Sequence, residues 1–126
     1  MARFGLVCIA GAIGTGVRYL VGLLAARLVG AGFPWGTLAV NVVGCLLMSI
    51  VAYAGAKMVI TPGVRIVLTT GFMGGLTTYS AYNWETIVLA RDGSWTLGAC
   101  NAALTFVACL ASGLGGLAIA HAVFDG

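Results

Sequence analysis

Thr69-Thr70-Gly71-Phe72-Met73-Gly74-Gly75-Leu76-Thr77-Thr78-Tyr79-Ser80 is the stretch on which the fold turns. Three glycines and four threonines in twelve residues make a poor continuous helix, since glycine loses the most backbone entropy and threonine is crowded against the preceding turn. Yet the stretch lies inside residues 66 to 90, a run whose single charge is Glu85 and which is long enough to cross a bilayer. Hydrocarbon tolerates irregular backbone only where protein or a wet cavity receives the freed polar groups. The composition therefore predicts a membrane helix broken at 74–78, with carbonyls open to a cation and amides open to an anion. A glycine kink patched by threonine hydroxyls is the competing reading.

The rest of the 126 residues agrees with a membrane setting. Charged side chains make up 7% and apolar ones 61%, so the chain cannot give water a polar skin. The gaps between Arg3, Arg18, Arg27, Lys57, Arg65, Glu85, Arg91, Asp92 and Asp125 define spans of roughly 4–28, 36–57, 64–90 and 95–122 in one four-helix domain, 1–126. Gly30 to Pro34, Thr61-Pro62-Gly63 and Arg91-Asp92-Gly93-Ser94 connect them. The first span is too long, and carries Arg18 too deep, for a cleaved leader. Cys8, Cys45, Cys100 and Cys109 all fall within spans with no CxxC pair, which reads as apolar packing rather than disulfides or metal ligation.

Four crossings put Arg3, Lys57 and Arg65 on one side and Arg27 and Arg91 on the other. Three against two is a weak orienting bias, so the charge pattern predicts insertion both ways up and an antiparallel pair. A single orientation set by that one-charge excess is the alternative. The many glycines in the spans suit close helix approach in lipid.

Several polar groups lie within the spans. Arg18 calls for a partner, a wet vestibule or a snorkelling route, and with the net charge of +3 it favours anions over cations. Asn41 must face the bundle, as helix glue or as a donor to an ion. Asn101, Thr105, Cys109 and Ser112 form one stripe on the last span, read as a pathway lining or as a helix interface. Tyr79 and Tyr82 share a helical face, and their ring edges and hydroxyls suit an anion.

With these residues in hand, the chain resembles the Fluc (CrcB) family of small fluoride channels over nearly its whole length. The likeness rests on Gly11-Ala12-Ile13-Gly14-Thr15-Gly16-Val17-Arg18-Tyr19, on Pro34 to Gly44 around Asn41, on Gly71 to Tyr82, and on Glu85. The third segment is the specific one. The resemblance implies an all-α membrane protein, an antiparallel dual-topology homodimer with two pores lined by both subunits, and a sodium ion at its centre. It assigns the sodium to the carbonyls of Gly74 and Thr77, the pore to Asn41, Thr78, Tyr79, Ser80, Tyr82 and Thr105, vestibule potential to Arg18, and a place near the path to Glu85. One departure stands out, because the family motif usually carries phenylalanine where Tyr79 and Tyr82 stand. The added hydroxyl has three possible fates: to hold fluoride, to block the path, or to bond Asn41. Asn101 and Cys109 also replace some of the hydroxyl residues usual in the fourth span.

The expected function is passive, fluoride-selective export through the inner membrane, without ATP, since no GxxxxGK[ST] signature occurs. Neither an enzyme nor a nucleic-acid partner is expected, for no HExxH or CxxC site is present and no second carboxylate joins Glu85 within a span. Two other readings are weighed. A small proton-coupled multidrug exporter shares the four short spans but needs an acidic exchange site usually found in the first span, where Arg18 sits. A non-conducting partner subunit of a heterodimeric channel is suggested by the two tyrosines.

Overall fold

The computed structural model describes residues 1–92 and 94–126, so Gly93 of the third connection lies outside the described residues. The described residues are helical or in short turns. They form α1 (Ala2–Val29), α2 (Trp35–Ala56), α3 (Pro62–Ile66), a π-helical segment (Val67–Met73), α4 (Gly74–Leu76), α5 (Tyr79–Arg91) and α6 (Trp95–Phe124). Three of them, α1, α2 and α6, are long and apolar enough to cross a membrane. The helical pieces from Pro62 to Arg91 make the fourth, interrupted element.

Local chemistry explains the ends. Gly30, at φ 86°, turns the chain out of α1 in the left-handed region that glycine enters without steric cost. The C-terminus of α2 closes with Met58 N–H on the Gly55 carbonyl (3.2 Å) and Val59 N–H on the Ala54 carbonyl (2.9 Å), the paired bonds of a Schellman cap. Met58 takes the position usually given to glycine, at φ 58°. Thr61 accepts from Val64 N–H to start α3, Ser94 accepts from Leu97 N–H to start α6, and Pro62 stands where its missing N–H costs nothing.

The interruption is narrower than the composition suggests. Gly74–Leu76 is helical, and the chain is extended only at Thr77 (φ −85°, ψ 155°) and Thr78 (φ −153°, ψ 114°). The disturbance also begins earlier than expected, because Val67–Met73 widens into a π-helix. Its hydroxyls compete for backbone acceptors, Thr69 Oγ1 donating to the Arg65 carbonyl at 2.9 Å.

Glycine sets the helix approaches. A Cβ on Gly14 would overlap the Phe72 carbonyl and lie 2.9 Å from Leu76 N, so α1 packs directly on the backbone leading to the break. Ser112 Oγ donates to the Val42 carbonyl (2.7 Å), joining α6 to α2. At the C-termini of both, Lys57 Nζ lies 2.7 Å from Asp125, the Tyr53 hydroxyl donates to Asp125, and His121 Nδ1 sits 2.9 Å from it. These bonds run α2 and α6 parallel. The lysine ammonium, and then the tyrosine hydroxyl, push the Asp125 carboxyl down to about 2. Arg3 lies beside Gly63, and Arg65 covers Gly55, so Arg3, Lys57 and Arg65 gather at this end.

The interior is inverted relative to a soluble domain. Val40, Met73 and Leu76 form a small apolar core, while Asn41, Thr78, Asn101 and Thr105 are buried and Leu, Ile and Val side chains cover much of the outside. A chain built this way is a multi-pass membrane protein.

Candidate functional site at the helix break

At the break the extended residue is met by one side chain. Asn41 Oδ1 accepts from Thr78 N–H (2.8 Å) while Asn41 Nδ2 donates to the Thr78 carbonyl (3.1 Å), with both residues buried. A primary amide can do this because it carries an acceptor and two donors on one planar group. It satisfies the unwound peptide groups much as a strand neighbour would.

The break deprives four carbonyls, those of Gly74, Gly75, Leu76 and Thr77, of their usual helical donors, and Gly74 and Thr77 flank the set. In a continuous helix Thr78 N–H would bond the Gly74 carbonyl and Ala81 N–H the Thr77 carbonyl. Here the first is diverted to Asn41 and the second to Thr78 Oγ1, at 3.1 Å. Gly74 is exposed on the outer face of the protomer. A hard cation takes neutral oxygens of this kind, so the backbone fits the ion that the resemblance implies on Gly74 and Thr77. Among the described residues no cluster of three His, Cys, Asp or Glu side chains offers another kind of metal centre.

Beyond the break, hydroxyls and amides on α5 and α6 bond in two separate groups. Ser80 Oγ lies 3.2 Å from Thr78 Oγ1. Further along, Thr105 Oγ1 donates to Asn101 Oδ1 (3.4 Å), Asn101 Nδ2 to Thr86 Oγ1 (2.7 Å), and Thr86 Oγ1 to the Tyr82 carbonyl (2.7 Å). The stripe on α6 thus divides, Asn101 bonding α5 with Thr105 bonded to it, while Ser112 bonds α2. Thr86 escaped the sequence reading, although a threonine four residues after Tyr82 was a recognisable candidate for bonding back to its carbonyl.

The two tyrosines part company. Their rings lie 5.4 Å apart and tilted by 56°. The Tyr82 hydroxyl donates to the Ala102 carbonyl (3.3 Å) rather than to Asn41, whereas Tyr79 is 79% exposed and projects from the protomer. Arg18 is half-buried on α1, a turn beyond Thr15, whose hydroxyl reaches toward the Gly75 carbonyl at 3.5 Å. It makes no ion pair among the described residues.

Glu85 borders a cleft of about 300 Å³ at the end away from Lys57, with Trp35, Thr37 and Trp84 on its walls. Its Oε1 accepts from Thr37 Oγ1 at 2.7 Å, while its buried Oε2 has no protein partner. No local signal pointed to Thr37, which stands 48 residues from Glu85.

The sequence has known relatives. A family model described as "CrcB-like protein, Camphor Resistance (CrcB)" matches residues 5–117. The chain is 41% identical to a protein of Sorangium cellulosum (strain So ce56) named "Fluoride-specific ion channel FluC", over 100% of both chains. Relatives bearing the same name occur in Rhizobium johnstonii, 43% identical over 94% of this chain and 95% of the relative, and in Anaeromyxobacter sp. (strain K), 43% identical over 87% and 88%.

Proposed function

This chain belongs to the CrcB family, and from that premise we propose that it is a fluoride-selective channel that passively exports fluoride from the cytoplasm. It works as an antiparallel, dual-topology homodimer in the inner membrane, with a structural sodium ion at the dimer centre. The family is one of ion channels rather than enzymes. The observation that carries the reading is the pairing of Asn41 with both peptide groups of Thr78, which holds the break open without charge.

Fluoride is small and strongly hydrated, so a pore must replace its water with donors and still release it. The spare Asn41 N–H, the hydroxyls of Thr78, Ser80 and Thr105, and the ring edges of Tyr79 and Tyr82 supply weak, neutral contacts of that kind. Arg18 raises the potential of a vestibule from outside the narrow part, where a full charge would trap the anion. Thr37 and Glu85 border an entrance. The carbonyls of Gly74 and Thr77 from each subunit hold the sodium, which ties the two breaks together.

The test is fluoride efflux from proteoliposomes loaded with the purified chain. Efflux well above that of protein-free vesicles, with chloride retained, is the expected result. No flux from a folded homodimer overturns conduction and favours the partner-subunit reading. Proton movement linked to an organic cation and abolished by Glu85→Gln favours the exporter. Tyr82→Phe gives a smaller effect, because the hydroxyl it removes is spent on the Ala102 carbonyl. Loss of one neutral hydrogen bond costs about 1 kcal/mol of stability, and efflux should stay within about twofold of the unsubstituted channel. A large change in selectivity would mean that the hydroxyl meets the ion.

A further inference from the structure

At the end carrying Arg3, Lys57 and Arg65, a groove of about 380 Å³ opens between the start of α1 and the α3 and π-helical segments. Its walls are Leu6, Val64, Val67 and Leu68, and Arg3 and Thr61 stand at its mouth. Gly63 leaves a gap there. The position a Cβ would take on Gly63 lies 3.7 Å from Arg3 Nε, 3.9 Å from Arg3 Nη2 and 4.0 Å from Thr61 Oγ1, so the guanidinium and the hydroxyl converge over an open spot.

Arg3 has no ion pair among the described residues. Among the described residues of one protomer, no side-chain carboxylate at this end is free to pair with it. Asp125 is held by Lys57, Asp92 is paired with Arg91 at 2.8 Å, and Glu85 lies in the cleft toward the opposite end.

We propose that this groove is a binding site for an anionic phospholipid, with the headgroup phosphate on Arg3 over Gly63 and an acyl chain along Leu6, Val67 and Leu68. A guanidinium fork matches phosphate oxygens in two parallel charge-assisted bonds. The hydroxyl of Thr61 adds a neutral donor. The apolar walls below select a lipid over free phosphate, which has nothing to place against them. A cation at a membrane boundary already draws anionic lipid, and the groove converts that general attraction into a defined site.

Native mass spectrometry of the purified chain in detergent, titrated with phosphatidylglycerol or phosphatidylcholine, tests this. One phosphatidylglycerol should stay bound per chain under activation that strips phosphatidylcholine. Arg3→Gln should lower the bound fraction about tenfold, as expected for losing a bidentate phosphate contact, while Arg27→Gln at the far end of α1 leaves it unchanged. Gly63→Leu keeps the charge but fills the gap, and should weaken binding comparably. Circular dichroism of each variant should match the unsubstituted chain.

Equal retention of the two lipids overturns the proposal, as does an Arg3→Gln result no different from Arg27→Gln. If Gly63→Leu binds normally, the effect is diffuse charge and the site is refuted. Displacement of the lipid by glycerol phosphate would reveal a free-anion site instead. Loss of the dimer together with the adduct in Arg3→Gln would assign the groove to a second copy.

Discussion

Replacing Asn41 with leucine is expected to lower fluoride efflux by about a hundredfold or more while leaving the four crossings helical. Leucine is close in size and adds no charge, so the change isolates the amide. It strands the buried Thr78 N–H, while the Thr78 carbonyl, at the N-cap of α5, loses the Asn41 donor but keeps its helical one. Each buried, unpaired peptide group costs about 1–3 kcal/mol, and a shift of about 3 kcal/mol in the population of the open break is already more than a hundredfold. The chain can escape that cost by rewinding, with Thr78 N–H returning to the Gly74 carbonyl as in a regular helix. Rewinding would also withdraw an oxygen from the proposed sodium cage. Asn41→Asp separates the two roles, since a carboxylate still accepts from Thr78 N–H but cannot donate to its carbonyl. Efflux and thermal unfolding in detergent, measured on both variants, decide the matter. Unchanged efflux with a lowered unfolding temperature would reduce Asn41 to a structural tie.

The place of the break and its partner differ in how far a sequence can reveal them. Glycine and threonine crowding marked the region because both resist regular helix on local grounds, and an asparagine in an apolar run had to find a buried partner. The final register was set elsewhere. Gly74–Leu76 stays helical because α1 packs against it through Gly11 and Gly14, and only Thr77 and Thr78 are released. The same tertiary closeness decides that Tyr82 spends its hydroxyl on Ala102, that Thr37 caps Glu85 and that Ser112 turns away from Asn101. These pairings join different crossings, and helical periodicity carries no record of which crossing lies next to which. The exposed side of Gly74 and Tyr79 is legible in neither sequence pattern nor single-protomer packing, and there the proposed dimer makes its own demand.

Gly74 and Gly75 are neighbours that should fail in different ways. A Cβ on Gly75 would overlap the Gly11 carbonyl and lie 3.0 Å from Thr15 N, so Gly75→Ala drives α4 away from α1. Overpacking of this kind costs about 1–3 kcal/mol, more than the roughly 1 kcal/mol of helix propensity that alanine returns. The expected outcome is a lower unfolding temperature, poor folded yield and loss of efflux together. A Cβ on Gly74 meets nothing nearer than the Thr69 carbonyl at 3.8 Å, so within one protomer Gly74→Ala should be tolerated or slightly stabilising. If the exposed Gly74 backbone meets its twin across a shared cation, the added methyl falls between the two copies. Gly74→Ala should then keep a folded protomer, run at half the mass in detergent by light scattering, and conduct no fluoride. A Gly74→Ala chain that remains dimeric and conducts normally would remove this residue from the interface and from the sodium site. Gly75→Ala cannot make that distinction, because its damage begins inside the protomer.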